Sequence, residues 1–294
     1  FSRIFYKKNK FNLIKFKKFF ELPGDIQDEK REKRIMKKLL VIKNQKTVFL
    51  ESEQKKNETS NIRCVGLTIE TRPDYGLLKH GNEMLRLGCT RVEVGIQSVY
   101  DESLTKIERG HSVADNIKSI ATLKDLGFKI NTHYMPGLFV PYKKDLEGMK
   151  QLFSNPDFKP DMLKIYPCMV VPGTKLEKLY KQKKFNPLTT KQAAKLIAEF
   201  KQFVPKYCRI MRVQRDIPTY VTTAGVDKTN LRQYIQKEMK EKNIICNCIR
   251  CREIGRSKKS NNNNNNNNYE NNITISYNII EYEASNGIEF FISA

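Results

Sequence analysis

Five short apolar runs, each closing on polar residues and separated by helix-period segments, constrain this sequence more than any other feature. They cover residues 64–69, 91–96, 129–134, 162–166 and 210–213. They close on Glu70-Thr71-Arg72, Gln97-Ser98, Met135-Pro136-Gly137, Pro167-Cys168 and Gln214-Arg215-Asp216. Starts at 64, 91, 129, 162 and 210 lie 27 to 48 residues apart, the spacing of β-α units, which predicts a parallel sheet or barrel. The intervening segments 75–87, 113–126, 144–153, 190–203 and 230–240 read as helices. Gly88 and Gly127 are the exit signals of the first two, and Thr189 or Thr190 caps the fourth. In such folds chemistry gathers at the carboxyl ends of the strands, so position alone selects Glu70, Arg72, Gln97, His133, Tyr166, Gln214 and Arg215. The plainer alternative makes Glu70, Arg72, Arg215 and Asp216 rim ion pairs that hold strands in register, and His133 a satisfied core histidine.

Composition limits the partners. The 54 Lys and Arg residues against 32 Asp and Glu give a net charge of +22, which favours nucleic acid, an anionic cofactor or an anionic surface. Much of the excess lies in the first 60 residues, where residues 1–20 alternate lysines with Phe, Tyr, Leu and Ile. That pattern suits either a basic arm or a solvated helix with an apolar stripe. No run of 18 apolar residues spans a membrane. After Gly255 the sequence passes into eight consecutive asparagines, a low-complexity linker with nothing to bury. Residues 273–291 regain alternation and read as one or two strands.

Three of the seven cysteines fall within six residues, as Cys246-x-Cys248-x-x-Cys251. Thiolates at such spacing suit a soft metal, zinc above all, better than three unrelated core thiols. Cys64, Cys89, Cys168 and Cys208 stand alone beside apolar runs and read as small buried hydrophobes. An odd cysteine count without a regular framework fits a reducing compartment, the cytoplasm or the nucleus.

Several long strings carry a resemblance: Cys64-Val-Gly-Leu-Thr-Ile-Glu-Thr-Arg-Pro-Asp-Tyr75, then Gly88-Cys-Thr-Arg-Val-Glu-Val-Gly-Ile-Gln-Ser-Val-Tyr100, then Arg109-Gly-His111. Lys164-Ile-Tyr-Pro167, Gly173-Thr174 and Arg212-Val-Gln-Arg-Asp-Ile-Pro218 continue it. Residues 61–256 are similar to the catalytic subunit family of Elongator. The resemblance implies a tRNA-modifying acetyltransferase with a radical S-adenosylmethionine barrel, a zinc-bearing connection and an acetyl-coenzyme-A-binding domain. Its implied reaction places a carboxymethyl-type group on C5 of the wobble uridine, uridine 34, after a 5′-deoxyadenosyl radical abstracts hydrogen from the acetyl group. It implies a 4Fe-4S cluster, S-adenosylmethionine, zinc and acetyl-coenzyme A as cofactors or co-substrates. The implied partners are the tRNA anticodon arm and other Elongator subunits. A barrel mouth ringed by Glu70, Arg72, Gln97, Tyr166, Arg212, Gln214 and Arg215 suits a ribose, an amino-acid carboxylate and a flipped base. Cys246, Cys248 and Cys251 take the place of the zinc ligands.

The sequence also departs from that family. Residues 1–63 contain no cysteine and hence no iron–sulfur motif, and the pyrophosphate loop of the acetyltransferase domain is absent. The expected fold class is therefore α/β, a partial radical-SAM (β/α) TIM-like barrel with a zinc-binding segment and the start of a missing acetyltransferase domain. The expected divisions are a basic region at 1–60, the partial barrel at 61–225, a helix with the thiolate segment at 226–256, the Asn-rich linker at 257–272 and the opening of the acetyltransferase domain at 273–294. A fragment of this kind is expected to be inactive alone. Two further readings stand beside it: a catalytically silent tRNA-binding scaffold, and a histone or protein lysine acetyltransferase, which a chain of charge +22 disfavours by repelling basic tails.

Overall fold

Two compact units, Phe1–Val65 and Gly66–Ala294, divide the chain in the computed structural model, which describes residues 2–8, 10–25, 28–44, 48–253 and 276–294. The smaller unit contains α1 (Ser2–Phe5), the short antiparallel pair β1 (Tyr6–Lys7) and β2 (Lys10–Phe11), α2 (Leu13–Phe19), α3 (Glu29–Asn44) and α4 (Leu50–Glu58). Asn12 caps α2 by accepting from the Lys15 amide at 2.8 Å. Phe5 is buried, and its ring meets Phe16 and Phe19 edge-on at 5.3 and 5.4 Å. Lys15, Lys17 and Lys18 remain exposed, so residues 13–19 form the helix with an apolar stripe rather than a free arm. Cys64 is exposed, which corrects the expectation of a buried thiol: its backbone is paired with the Asn57 side chain and its residue packs into no core.

The larger unit runs β3 (Leu67–Thr71), α5 (Leu78–Arg86), β4 (Cys89–Gln97), α6 (Asp101–Lys106), α7 (Val113–Asp125), β5 (Lys129–Tyr134), α8 (Tyr142–Ser154) and β6 (Met162–Ile165). It continues through α9 (Lys175–Lys181), α10 (Thr190–Lys201), β7 (Arg209–Arg212), α11 (Leu231–Glu241) and α12 (Ile249–Arg252) to the hairpin β8 (Asn278–Ala284) and β9 (Gly287–Ser293). Helix ends follow the local chemistry. Ser112 with Asp115 and Thr189 with Gln192 form capping boxes at the starts of α7 and α10. Gly88 and Gly127, both at φ +80°, supply the left-handed exits that β-branched residues would resist.

Strands β3 to β7 form one parallel sheet in sequential order β3-β4-β5-β6-β7. Five strands do not close into a barrel; among the described residues the sheet is open, with β3 and β7 at its edges. Successive side chains alternate between its faces. Ile69, Val92, Val94, Ile96, Ile130, Leu163, Ile165 and Ile210 lie on one side within the main apolar core, with Ile120 and Leu123 of α7, Met149 and Leu152 of α8 and Ile197 of α10. Thr68, Glu70, Glu93, Asn131, His133, Met162 and Lys164 occupy the alternate positions, so the opposite face of the sheet is polar.

The β8–β9 hairpin turns at Ser285 and Asn286, both with positive φ, as a two-residue turn demands. Tyr282 stacks on Tyr207 at 3.8 Å, and Lys124 pairs with Glu289 at 2.9 Å, so the hairpin packs on the larger unit. The Asn-rich linker expected at 257–272 lies outside the described residues.

Candidate active site

The polar face of the sheet is organised around one carboxylate. Glu93, 5% exposed, accepts from Asn131 Nδ2 at 3.1 Å, lies 2.9 Å from His133 Nε2 and is paired with Lys164 Nζ. Burial works against its charge, but the hydrogen bonds from His133 and Lys164 outweigh burial and hold the carboxyl down at about 2. With Nε2 turned to an ionised Glu93, the other nitrogen of His133 looks to Glu70, whose Oε1 is 3.5 Å away. Glu70 itself is exposed, so the chain Glu93–His133–Glu70 runs from the sheet's interior to its open carboxyl end.

At that end Tyr166 is nearly buried. Its ring has His133 edge-on at 5.4 Å, and the Lys164 and Arg215 cations lie 6.0 and 5.8 Å from its centroid. Gly95 leaves room for Arg109, whose Nη2 donates to the Gly95 carbonyl at 3.4 Å; a Cβ on Gly95 would stand 2.9 Å from that nitrogen and 2.8 Å from Gln97 Nε2. Arg109 is half-buried. Burial first, then the charge of Arg72, lowers its pKa, yet a guanidinium stays protonated and its Nε has no hydrogen-bond partner. An anionic group placed there would relieve both penalties.

The remaining candidates divide in two. Gln97, at φ +64°, sits at the end of β4 and accepts from the Met135 amide at 2.8 Å, joining the mouth. Arg72 pairs with Asp74 and lies beside Gly110, at the edge of the same region. Arg212 is paired with Asp216 and is exposed. Gln214 accepts from the Leu231 amide at 3.1 Å and donates to the Lys228 carbonyl at 2.6 Å, so its side chain is committed to the start of α11. Glu93, Asn131, Lys164 and Arg109 were not singled out from sequence. The signal for the first three was the alternation inside the strands, where a charged or amide residue falls on every second position of apolar runs.

Known proteins give this arrangement its context. The family described as the radical SAM superfamily matches residues 24–153, and the radical SAM C-terminal domain matches residues 160–241. The chain belongs to the radical SAM superfamily. It is 45% identical over 250 residues to the tRNA uridine(34) acetyltransferase of Methanocaldococcus infernus, covering 83% of this chain and 45% of that protein. Over 200 residues it is 42% identical to Elongator complex protein 3 of Saccharomyces cerevisiae, covering 68% of this chain and 36% of the yeast protein. The solved structure of Methanocaldococcus infernus Elp3 with an N-terminal deletion superposes with a TM-score of 0.79 at 44% identity, covering 84% of this chain and 57% of that one. The chain therefore spans less than half the length of these curated relatives.

On this radical SAM sheet the cysteine triad lies at the other end. Cys208 immediately precedes β7, and its carbonyl accepts from the Ile249 amide at 3.0 Å; Arg252 reaches the Lys206 carbonyl at 2.7 Å and Arg209 pairs with Glu253. Cys246, Cys248 and Cys251 thus sit at the amino end of β7, away from Tyr166 and Arg215. Their sulfurs all lie within 4.8 Å of one another, and among the described residues no fourth Cys, His, Asp or Glu atom joins the group.

Proposed function

We propose that this chain is the radical SAM portion of a tRNA uridine-34 modifying enzyme of the Elongator type, acting at C5 of the wobble base with acetyl-coenzyme A as co-substrate. The observation that carries the reading is the carboxyl end of the sheet. There Glu70, Gln97, Arg109, Tyr166 and Arg215 surround the buried Glu93–His133–Lys164 network, in a chain 45% identical to a protein of that name. S-adenosylmethionine, when bound, supplies a carbon-centred radical for hydrogen abstraction. The mouth fits such a ligand: Arg109 offers a carboxylate a half-buried guanidinium whose Nε has no hydrogen-bond partner, Gly95 keeps the space for it, and Glu70 offers acceptors to hydroxyls. Tyr166 and Arg215 present a stacked aromatic and cationic surface to a base and its phosphates. Arg72 and Arg212 extend the cationic rim.

The iron–sulfur cluster does not fit the described residues. Of the seven cysteines only Cys168 lies at the carboxyl end, where burial pushes its thiol up to about 12. A radical step here would need cluster ligands other than these cysteines. The same observation favours a second reading, a tRNA-binding scaffold that keeps the sheet without the cluster.

The triad suits zinc as a structural ion. Three thiolate donors at short spacing match its preference, and their place at the amino end keeps them clear of the mouth. The charge of +22 supports salt-sensitive contacts to tRNA phosphates, and subunits of an Elongator-type assembly are further partners.

The test is complementation of a strain lacking its Elongator-type enzyme with the gene encoding this chain, followed by mass spectrometry of tRNA nucleosides. Return of the C5-modified wobble uridine, lost again with Arg109→Ala, supports the enzyme. Anticodon-arm binding by the chain with no modified uridine supports the scaffold instead.

A further inference from the structure

Helix α10 buries a stripe made by Ala194, Ile197 and Ala198, and the next position of that stripe is Lys201. Lys201 is 3% exposed, at a site where the helical period calls for an apolar side chain. Its Nζ lies 3.6 Å from the sulfur of Cys251, and among the described residues no carboxylate pairs with it. An ammonium buried this deeply is costly unless a negative charge faces it. The group facing it is the sulfur of the triad's one exposed cysteine, approached from the interior.

The charge balance of the triad calls for such a partner. Three thiolates around a zinc dication leave one net negative charge, and Cys246 and Cys248 are both buried, so water cannot screen it well. A cavity of about 310 Å³ adjoins the cluster; Lys201, Met239, Ile244 and Cys251 line it, as do Arg232, Gln236 and Lys240.

We propose that Lys201 is the outer partner of a zinc trithiolate. It donates a charge-assisted hydrogen bond to the Cys251 sulfur and cancels the residual charge, which sets how tightly the site holds its ion. The inference rests on the zinc reading of the triad. It explains why a lysine occupies the buried stripe of α10, and it makes the end of that helix part of the metal site.

The experiment compares the 294-residue chain with Lys201→Met, which suits an apolar stripe, and Lys201→Arg, which keeps the charge. Zinc affinity is measured by competition with a chromogenic chelator. The cobalt-substituted proteins are compared by their thiolate-to-metal absorption, which a merely structural lysine would leave in place. Lys201→Met is expected to weaken zinc binding about 10- to 100-fold and shift the cobalt band, with Lys201→Arg close to the parent. Equal affinity and an unmoved band in Lys201→Met, with unchanged far-ultraviolet circular dichroism, overturn the proposal. If the Met variant does not fold, Lys201→Gln carries the same comparison under the same criterion. A parent chain that binds neither zinc nor cobalt refutes the zinc reading itself, a separate result.

Discussion

Glu93 Oε2 and His133 Nε2 lie 2.9 Å apart across neighbouring strands, both side chains buried, and the bond between them orients the imidazole toward Glu70 at the open end of the sheet. A carboxylate in the middle of a sheet is tolerated because three donors converge on it. The same three side chains are thereby fixed in place beneath Tyr166.

Replacing Glu93 by Gln leaves the largely buried Lys164 ammonium facing a neutral amide. Glu93→Gln is expected to destabilise the larger unit by about 3–5 kcal/mol, and Glu93→Gln with Lys164→Met to recover much of that loss. Urea denaturation of the two variants and of Lys164→Met alone checks the coupling. A double variant no more stable than Glu93→Gln would show that the ion pair is not what the network rests on.

Two buried carboxyls give stability opposite pH slopes. Burial pushes Asp145 up to about 6, even though it accepts from the Gly137 amide at 2.6 Å and the Tyr134 hydroxyl at 2.9 Å. A raised folded value means its contribution is full below the unfolded value of about 3.8 and is lost as pH rises through about 6, on the order of 3 kcal/mol. Glu93, held at about 2, contributes above its unfolded value of about 4.5 and loses that contribution as pH falls toward 2. Asp145→Asn is expected to flatten the decline between pH 4 and 6, read from denaturant midpoints across that range.

Gly95→Ala adds one methyl 2.8 Å from Gln97 Nε2 and 2.9 Å from Arg109 Nη2, contacts too short to persist. Its backbone has no special conformation to lose, so the sheet should survive while Arg109 and Gln97 move. In the complementation assay the C5-modified uridine should fall at least about 10-fold with soluble protein levels unchanged, because small displacements of positioning groups are costly to rate. Full modification would remove Arg109 from the site.

Cys248→Ser removes the fully buried sulfur of the triad. Bound zinc, by elemental analysis of the purified chain, should drop from about one equivalent to near zero. Amide exchange should rise across residues 244–253, where Cys251 and Arg252 donate to the Cys248 carbonyl. Unchanged zinc content would dismiss the cysteine as a ligand.

Much of the fold could be read from local pattern, because hydrophobic period and end signals are carried by neighbours in sequence. Residues 129–134 and the capped starts of α7 and α10 are such cases, with Ser112, Thr189, Gly88 and Gly127 marking where elements begin and end. The five strands were visible as five, and so was the triad's Cys-x-Cys-x-x-Cys spacing. Short elements with weak period, such as α6 and α9, were not.

The sequence by itself determined five parallel β-α units, their polar strand ends and a thiolate cluster, since each depends on residues close along the chain; that the strands make an open sheet instead of the expected partial barrel was decided by the tertiary structure. Only the tertiary structure decided which polar residues meet. It took Gln214 from the mouth to the start of α11, placed the triad at the opposite end of the sheet, gathered Glu93, Asn131, His133 and Lys164 from three strands, and set Lys201 against Cys251. These contacts join residues 17 to 71 positions apart, and a pairing across such separations is fixed by strand register and helix packing rather than by local preference.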